Sequence, residues 1–249
     1  MKSYKNGLLG PDLNRCDIVS YNFGDAEIQF RLPNDPKADD NFVQSQEIVD
    51  GWKNSTSHLH FIKSEWALQE NVNGLLRRIG LVTLGMDIFS FDKASFEQDW
   101  KTGPYSFVRK PDLRELAVDF FINLILMGEQ SDNPDISKED ALREWEVIND
   151  PSLLPIVKQD ILPWYMNRRR QKTNYYSWES IIVIPISDRS IVIAQFYSEF
   201  FTYGDEACII TKNEQEAFDN MLREEFFSHF TVKYSPEILA KIKEAEALA

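Results

Sequence analysis

The chain has 249 residues, 43% of them hydrophobic and 13% aromatic, so it can bury a core without disulfides or metals. Its 27 basic and 40 acidic residues give a formal net charge of -13, which disfavours nucleic acid and anionic membrane surfaces as partners. Two distant cysteines, Cys16 and Cys208, offer no disulfide framework. With no apolar run of signal-peptide length after Met1, we expect a cytoplasmic protein.

The first part of the chain favours strands, because apolar and polar residues alternate or β-branched and aromatic residues cluster in four segments. These predicted strands are residues 17–23, 26–32, 58–68 and 75–91. The last is expected to break near Gly80 or Gly85, and a turn at residues 71–74 precedes it. Residues 42–52 are predicted to form a short helix.

The middle of the chain favours helices. Asp112 suits an N-cap, and Glu115 three residues later completes a capping box. Apolar residues at spacings of three and four then continue to Met127, which predicts a helix buried on most sides and lying across the sheet. Ser137 is expected to cap a second helix, and residues 152–172 are interpreted as helix interrupted by prolines.

Two β-rich runs near the middle of the second half, residues 178–186 and 190–201, predict a buried antiparallel hairpin. Only Ser187, Asp188 and Arg189 separate them. Five of the six residues in 181–186 are aliphatic, so we expect both faces of this strand to be covered. The predicted elements after the hairpin are a strand at 207–210, a helix capped by Asn213 and a helix capped by Ser235.

Together these elements predict an α+β fold with an antiparallel sheet of about four to seven strands packed with several helices. We expect residues 1–249 to form a single domain, with a division into two lobes near residue 108 or 173 as the alternative.

Two histidines are the strongest candidates for a metal-binding site. His58 and His60 point to the same face of a strand and could share a metal ion. With Glu65, the pair resembles the first metal motif of cupins, which implies a metal ligand set of these three side chains. The flanking spacings differ from that motif, and no second motif with a third histidine follows. Two partly exposed strand histidines without a metal are the preferred interpretation.

Other catalytic motifs are missing from the sequence. It contains no G-x-S-x-G elbow, Walker motif or G-x-G-x-x-G loop, and no cofactor or catalytic residue is predicted. The basic cluster Arg168 to Arg170 is interpreted as a solvated helix end. An enzyme acting through carboxylates stays an alternative, because such pairs have no fixed spacing.

The remaining class is a binding protein, since aromatic side chains anchor interfaces and an acidic rim attracts a basic partner. The strand ending FRLP, the length and the acidity resemble immunity proteins of bacterial polymorphic and type VI toxin systems. The resemblance implies tight one-to-one binding of a cognate protein toxin, which would be neutralised. The expected contact residues are Asp39, Asp40, Glu199, Tyr203, Asp205 and Glu206. The alternatives are a metal-dependent enzyme using His58 and His60, or a scaffold subunit of a larger assembly.

Overall fold

A computed structural model describes residues 2–3, 8–32, 41–55, 58–91, 106–143, 145–171, 177–200 and 212–248. The helices are α1 (Gln46–Ser55), α2 (Lys110–Asp132), α3 (Lys138–Arg143), α4 (Lys212–Ser228) and α5 (Pro236–Ala247). The strands are β1 (Lys2–Ser3), β2 (Leu8–Gly10), β3 (Asp17–Asn22), β4 (Ala26–Leu32), β5 (Phe42–Val43), β6 (His58–Val72), β7 (Leu75–Ser90), β8 (Trp145–Glu146), β9 (Ile156–Gln159), β10 (Pro163–Gln171), β11 (Ser177–Pro185), β12 (Ser190–Phe200) and β13 (Thr231–Tyr234).

The strands form two antiparallel sheets. The large sheet has the order β1-β2-β6-β7-β12-β11-β10-β8, with β5 also paired to β6 and β9 to β10. The small sheet has the order β13-β4-β3. The predicted α+β class with an antiparallel sheet is therefore confirmed, and short strands of two to four residues extend the sheet at its margins. None of the described helices is both long enough and apolar enough to cross a membrane.

The predicted hairpin is the centre of the large sheet. β11 pairs with β12 from Ser177 opposite Glu199 to Pro185 opposite Ile191. The turn is closed by the backbone amides of Ile186 and Ser187, which both donate to the Ser190 carbonyl. Hydrophobic side chains of the hairpin are buried on both faces of the sheet, so the expectation of a doubly covered hairpin is confirmed.

Two hydrophobic cores lie against the two faces. The first contains the inward side chains of the small sheet and of α4 and α5, with aromatic contacts such as the stack of Phe30 on Phe230 at 5.2 Å between ring centroids. The second joins α2 to the opposite face, where Phe120 lies edge-on to Phe89 at 5.1 Å. α2 packs against this face of the sheet and is buried on most sides, as predicted. It begins at Lys110, however, so Asp112 lies in the first turn and is not the N-cap.

Several local predictions were wrong. Residues 156–159 and 163–171 were predicted as helix interrupted by prolines, but they form strands. The prolines are compatible with these strands, since Pro155 precedes β9 and Pro163 is the first residue of β10, a position that a strand tolerates. By contrast, Ser137 caps α3 as predicted, because its side-chain oxygen accepts a hydrogen bond from the Asp140 amide at 3.1 Å; the helix ends at Arg143, and β8 follows. Residues 42–52 divide into β5 and the start of α1.

β7 also differs from the prediction, since it continues through both of its glycines. A β-carbon at Gly80 would lie 2.5 Å from the backbone oxygen of Glu199, so this glycine allows a close approach of β12 rather than a break. The strand predicted at 207–210 lies outside the described residues.

Candidate functional site

Two histidines and an aspartate meet at the margin of the second core. His58 Nε2 and His60 Nδ1 each lie 2.8 Å from the same oxygen, Oδ1 of Asp87. The Asp87 side chain is only 9% exposed, whereas those of His58 and His60 are 46% and 37% exposed. The cluster therefore joins a buried carboxylate to two imidazoles that reach solvent.

The pairing of β6 with β7 places these three side chains together. His60 is directly opposite Asp87, and His58 is opposite Phe89. Side chains opposite each other in an antiparallel pair lie on the same face, and so do residues two apart along a strand. The predicted shared face of the two histidines is confirmed. Asp87 is the partner that motif reasoning missed, although a charged residue within the apolar run of β7 is a signal for it.

Aromatic neighbours hold both imidazole rings. The His58 ring stacks on Phe89 with 4.4 Å between centroids and a 16° interplanar angle. The His60 ring lies edge-on to Phe42 of β5 at 5.0 Å. Both rings therefore have a preferred orientation toward Asp87 in addition to their hydrogen bonds.

The electrostatics of Asp87 define the protonation of the cluster. Burial acts to raise the pKa of Asp87, but hydrogen bonds from His58 and His60 outweigh it and lower the pKa below its ordinary value. An ionised carboxylate only accepts hydrogen bonds, so the facing nitrogen of each imidazole is the donor. In neutral His60 the proton is then on Nδ1, and the lone pair is on Nε2.

Glu65, the third residue of the cupin-like motif, is separated from the histidines. A β-bulge between His60 and Ile62 turns Glu65 to the histidine face, opposite Thr83. Thr83 is four residues from Asp87, or about 13 Å along the strand. Glu65 instead accepts a hydrogen bond from Thr83 at 3.4 Å and pairs with Lys63 at 3.3 Å. Throughout the part of the chain that the structure describes, no group of three or more His, Cys, Asp or Glu side chains could hold a metal ion.

Polar side chains continue from the cluster across this face of the sheet. Thr83 is opposite both Glu65 and Tyr197, and Tyr197 is opposite Glu179. Along β12, Gln195, Tyr197 and Glu199 are partly exposed, while the residues between them are buried. We call this surface the polar face; it consists of His58, His60, Lys63, Glu65, Thr83, Asp87, Glu179, Gln195, Tyr197 and Glu199.

One of the predicted contact residues, Glu199, belongs to the polar face. It is opposite Ser177 on β11 and Leu81 on β7. The other predicted contact residues lie outside the described residues; they are Asp39, Asp40, Tyr203, Asp205 and Glu206.

A second charged cluster lies against the opposite face, where Asp219 of α4 is fully buried. Oδ2 of Asp219 accepts hydrogen bonds from Arg168 at 2.9 Å and Arg223 at 3.0 Å, and Oδ1 accepts one from Ser198 at 2.7 Å. The interpretation of residues 168–170 as a solvated helix end is wrong, because they belong to β10 and the Arg168 side chain is 17% exposed. The hydrogen bonds of Asp219 to Arg168 and Ser198 therefore join α4 to strands β10 and β12 of the sheet.

Comparisons with known proteins add no relative: no family model, no curated protein and no solved structure matched this chain.

Proposed function

We propose that this chain is a non-catalytic binding protein that uses the polar face to bind a basic protein, and that the partner is a cognate bacterial toxin which it neutralises. The observation that carries the proposal is the composition of the polar face, where four carboxylates accompany one lysine, with Arg169 of β10 at the margin opposite Glu179. Clustered charge of one sign attracts a partner of the opposite sign and orients it during association.

The polar face also has the chemical character of a recognition surface. Tyr197 lies at its centre, between Thr83 and Glu179 in neighbouring strands, and is partly exposed. A tyrosine provides a large, rigid contact area with a polar end, and such residues are frequent among those that dominate binding energy. Because the surface lies on paired strands of a large sheet, its side chains are held in fixed positions.

The toxin-neutralising part of the proposal rests on the resemblance to immunity proteins and on the net charge of -13. A protein that inhibits a basic toxin must bind it tightly and one to one. An acidic face on a rigid sheet supports such binding, since electrostatic attraction accelerates association and a preformed surface loses little entropy on binding.

The test is a pull-down from the native cell lysate with the tagged chain, washed at moderate salt and analysed by mass spectrometry. We expect one stoichiometric basic protein to remain bound. Charge reversal of Glu179 and Glu199 to lysine should reduce its recovery by at least about tenfold, since unlike-charge contacts become like-charge contacts.

The matched control reverses Glu244 and Glu246, which are exposed on α5 and lie outside the polar face. It changes the net charge by the same amount and should leave recovery within about twofold. Equal losses of recovery in both variants would show that overall charge accounts for the binding, and would refute the polar face as the binding surface. Recovery of no basic protein by the unmodified chain would refute the proposed function.

A further inference from the structure

We propose that His60 Nε2 on the polar face is an acceptor site for an ammonium or guanidinium group of the partner, and that protonation of His60 abolishes the site. This inference rests on the proposed function and specifies which chemical group the polar face recognises. It gives the cluster of His58, Asp87 and His60 a binding role that the metal interpretation does not assign.

The hydrogen bond to Asp87 decides which nitrogen of His60 carries the lone pair. Asp87 fixes the proton on Nδ1, so neutral His60 presents Nε2 as a hydrogen-bond acceptor. None of the described residues forms a hydrogen bond with Nε2. Because the side chain is 37% exposed, a donor on a partner protein can approach it.

Electrostatic attraction also favours binding of a cation at His60. The negative charge of Asp87, hydrogen-bonded behind the ring, makes the imidazole a better acceptor and favours a cation in front of it. The resulting series of carboxylate, imidazole and cation is held together by charge-assisted hydrogen bonds. Protonation of His60 replaces the lone pair with a donor N–H and brings a positive charge to the position where the cation would bind.

Neighbouring elements add few competing charges to this site. Phe42 of β5 and Gln195 of β12 are neutral, and α2 contacts this part of the sheet through Phe120 and Phe89. Among the described residues of the polar face, the charged or titratable groups nearest His60 are Asp87, His58 and Lys63. Lys63 pairs with Glu65 at 3.3 Å, so its ammonium group is directed along the strand and away from Asp87.

The test uses an octalysine peptide as the cationic probe and measures its dissociation constant at about pH 7.5 and about pH 5.5, a range in which histidine is the side chain that ordinarily changes charge. In the unmodified chain we expect binding to weaken by about tenfold at the lower pH, the size of one lost charge-assisted hydrogen bond. His60→Gln should show a clearly smaller change between the two pH values, at most about threefold, because its neutral amide does not titrate and His58 is left as the second imidazole of the cluster.

The matched control is His229→Gln, since His229 follows α4 and lies outside the polar face. It should keep the full tenfold change. If His60→Gln shows the same pH dependence as the unmodified chain, the acceptor site is refuted while cation binding by the polar face stands. If the peptide binds at neither pH, the proposal of a basic partner fails together with this site.

A second measurement uses the unmodified chain, so its result does not depend on whether a variant folds correctly. The His60 Cε1–H resonance is followed by NMR against pH, with and without octalysine. Binding of a cation to neutral His60 must lower the pH at which this signal titrates. An unchanged titration at saturating peptide would refute the acceptor site.

Discussion

Asp87 and Asp219 lie against opposite faces of the same sheet and have different partners. Asp219 is fully buried and accepts hydrogen bonds from the guanidinium groups of Arg168 and Arg223. Asp87 is also buried and accepts hydrogen bonds from two imidazoles that reach solvent. Burial raises the pKa of Asp219 against the opposing arginines, whereas the hydrogen bonds of the histidines lower the pKa of Asp87.

The difference shows how the chemistry of the partner decides what a buried carboxylate can do. A guanidinium group stays charged at any physiological pH, so the cluster around Asp219 has a fixed arrangement and joins helix to sheet. An imidazole exists either as a neutral ring with one donor and one acceptor or as a cation with two donors, so the cluster around Asp87 has more than one hydrogen-bonding arrangement. The first cluster stabilises the fold, and the second is suited to recognition.

The largest effect is expected from Asp219→Asn. The substitution removes the carboxylate that pairs with the buried Arg223 and leaves Arg168 with Glu216 alone, and breaking a buried pair in this way costs about 3–5 kcal/mol of the free energy of unfolding. Urea unfolding of the two proteins at neutral pH measures the difference.

The control is Glu216→Gln, which removes the more exposed acceptor of Arg168, 3.1 Å from its Nη1. It should cost less than about 1 kcal/mol, as expected for a partly exposed ion pair. A loss from Asp219→Asn no greater than this control would contradict the structural role assigned to the buried cluster.

Local patterns in the sequence predicted the elements that local physics determines. The alternation in residues 26–32 and the proline after Ser235 define β4 and α5, and both are found where predicted. The hairpin was predicted from two β-rich runs with a short link. In each case the information lies within a few neighbouring residues.

The remaining features depend on distant residues. Arg168 and Asp219 are 51 positions apart, and only the packing of α4 on β10 brings them together. Residues 163–171 were predicted as part of a helix interrupted by prolines, yet pairing with β11 makes them a strand. For the candidate site, the sequence predicted the shared face of His58 and His60, but Asp87 becomes their partner only through the register of β6 with β7.

A medium effect is expected from Asp87→Asn, which keeps the shape of the side chain and removes its charge. Loss of the charge-assisted hydrogen bonds to His58 and His60 should cost about 1–2 kcal/mol at neutral pH. The folded-state pKa of Asp87 is lowered, so its contribution is present above the unfolded-state pKa and is lost as the pH falls through the folded-state pKa. The difference between the two proteins should therefore shrink below about pH 4.

Unfolding free energies from urea titrations across this pH range provide the measurement. Asp135→Asn serves as control, because Asp135 is exposed in the connection between α2 and α3. It should show no difference at any pH. A difference for Asp87→Asn that grows as the pH falls below about 4 would give the opposite sign of linkage and contradict the ionised state of the carboxylate.

The smallest effect is expected from Gly85→Ala, which probes the support of the His60 ring. The added methyl group would lie 3.4 Å from His60 Cε1 and 3.6 Å from Gln195 Oε1, both ends of side chains that can adjust. We expect the free energy of unfolding to change by less than about 1 kcal/mol, because relief of glycine entropy offsets the closer contact. The same substitution at Gly80 should cost more, since there the methyl group meets the backbone of Glu199. The NMR resonance of His60 Cε1–H should shift in the first variant and stay unchanged in the second, which separates an effect on the imidazole from an effect on the strand.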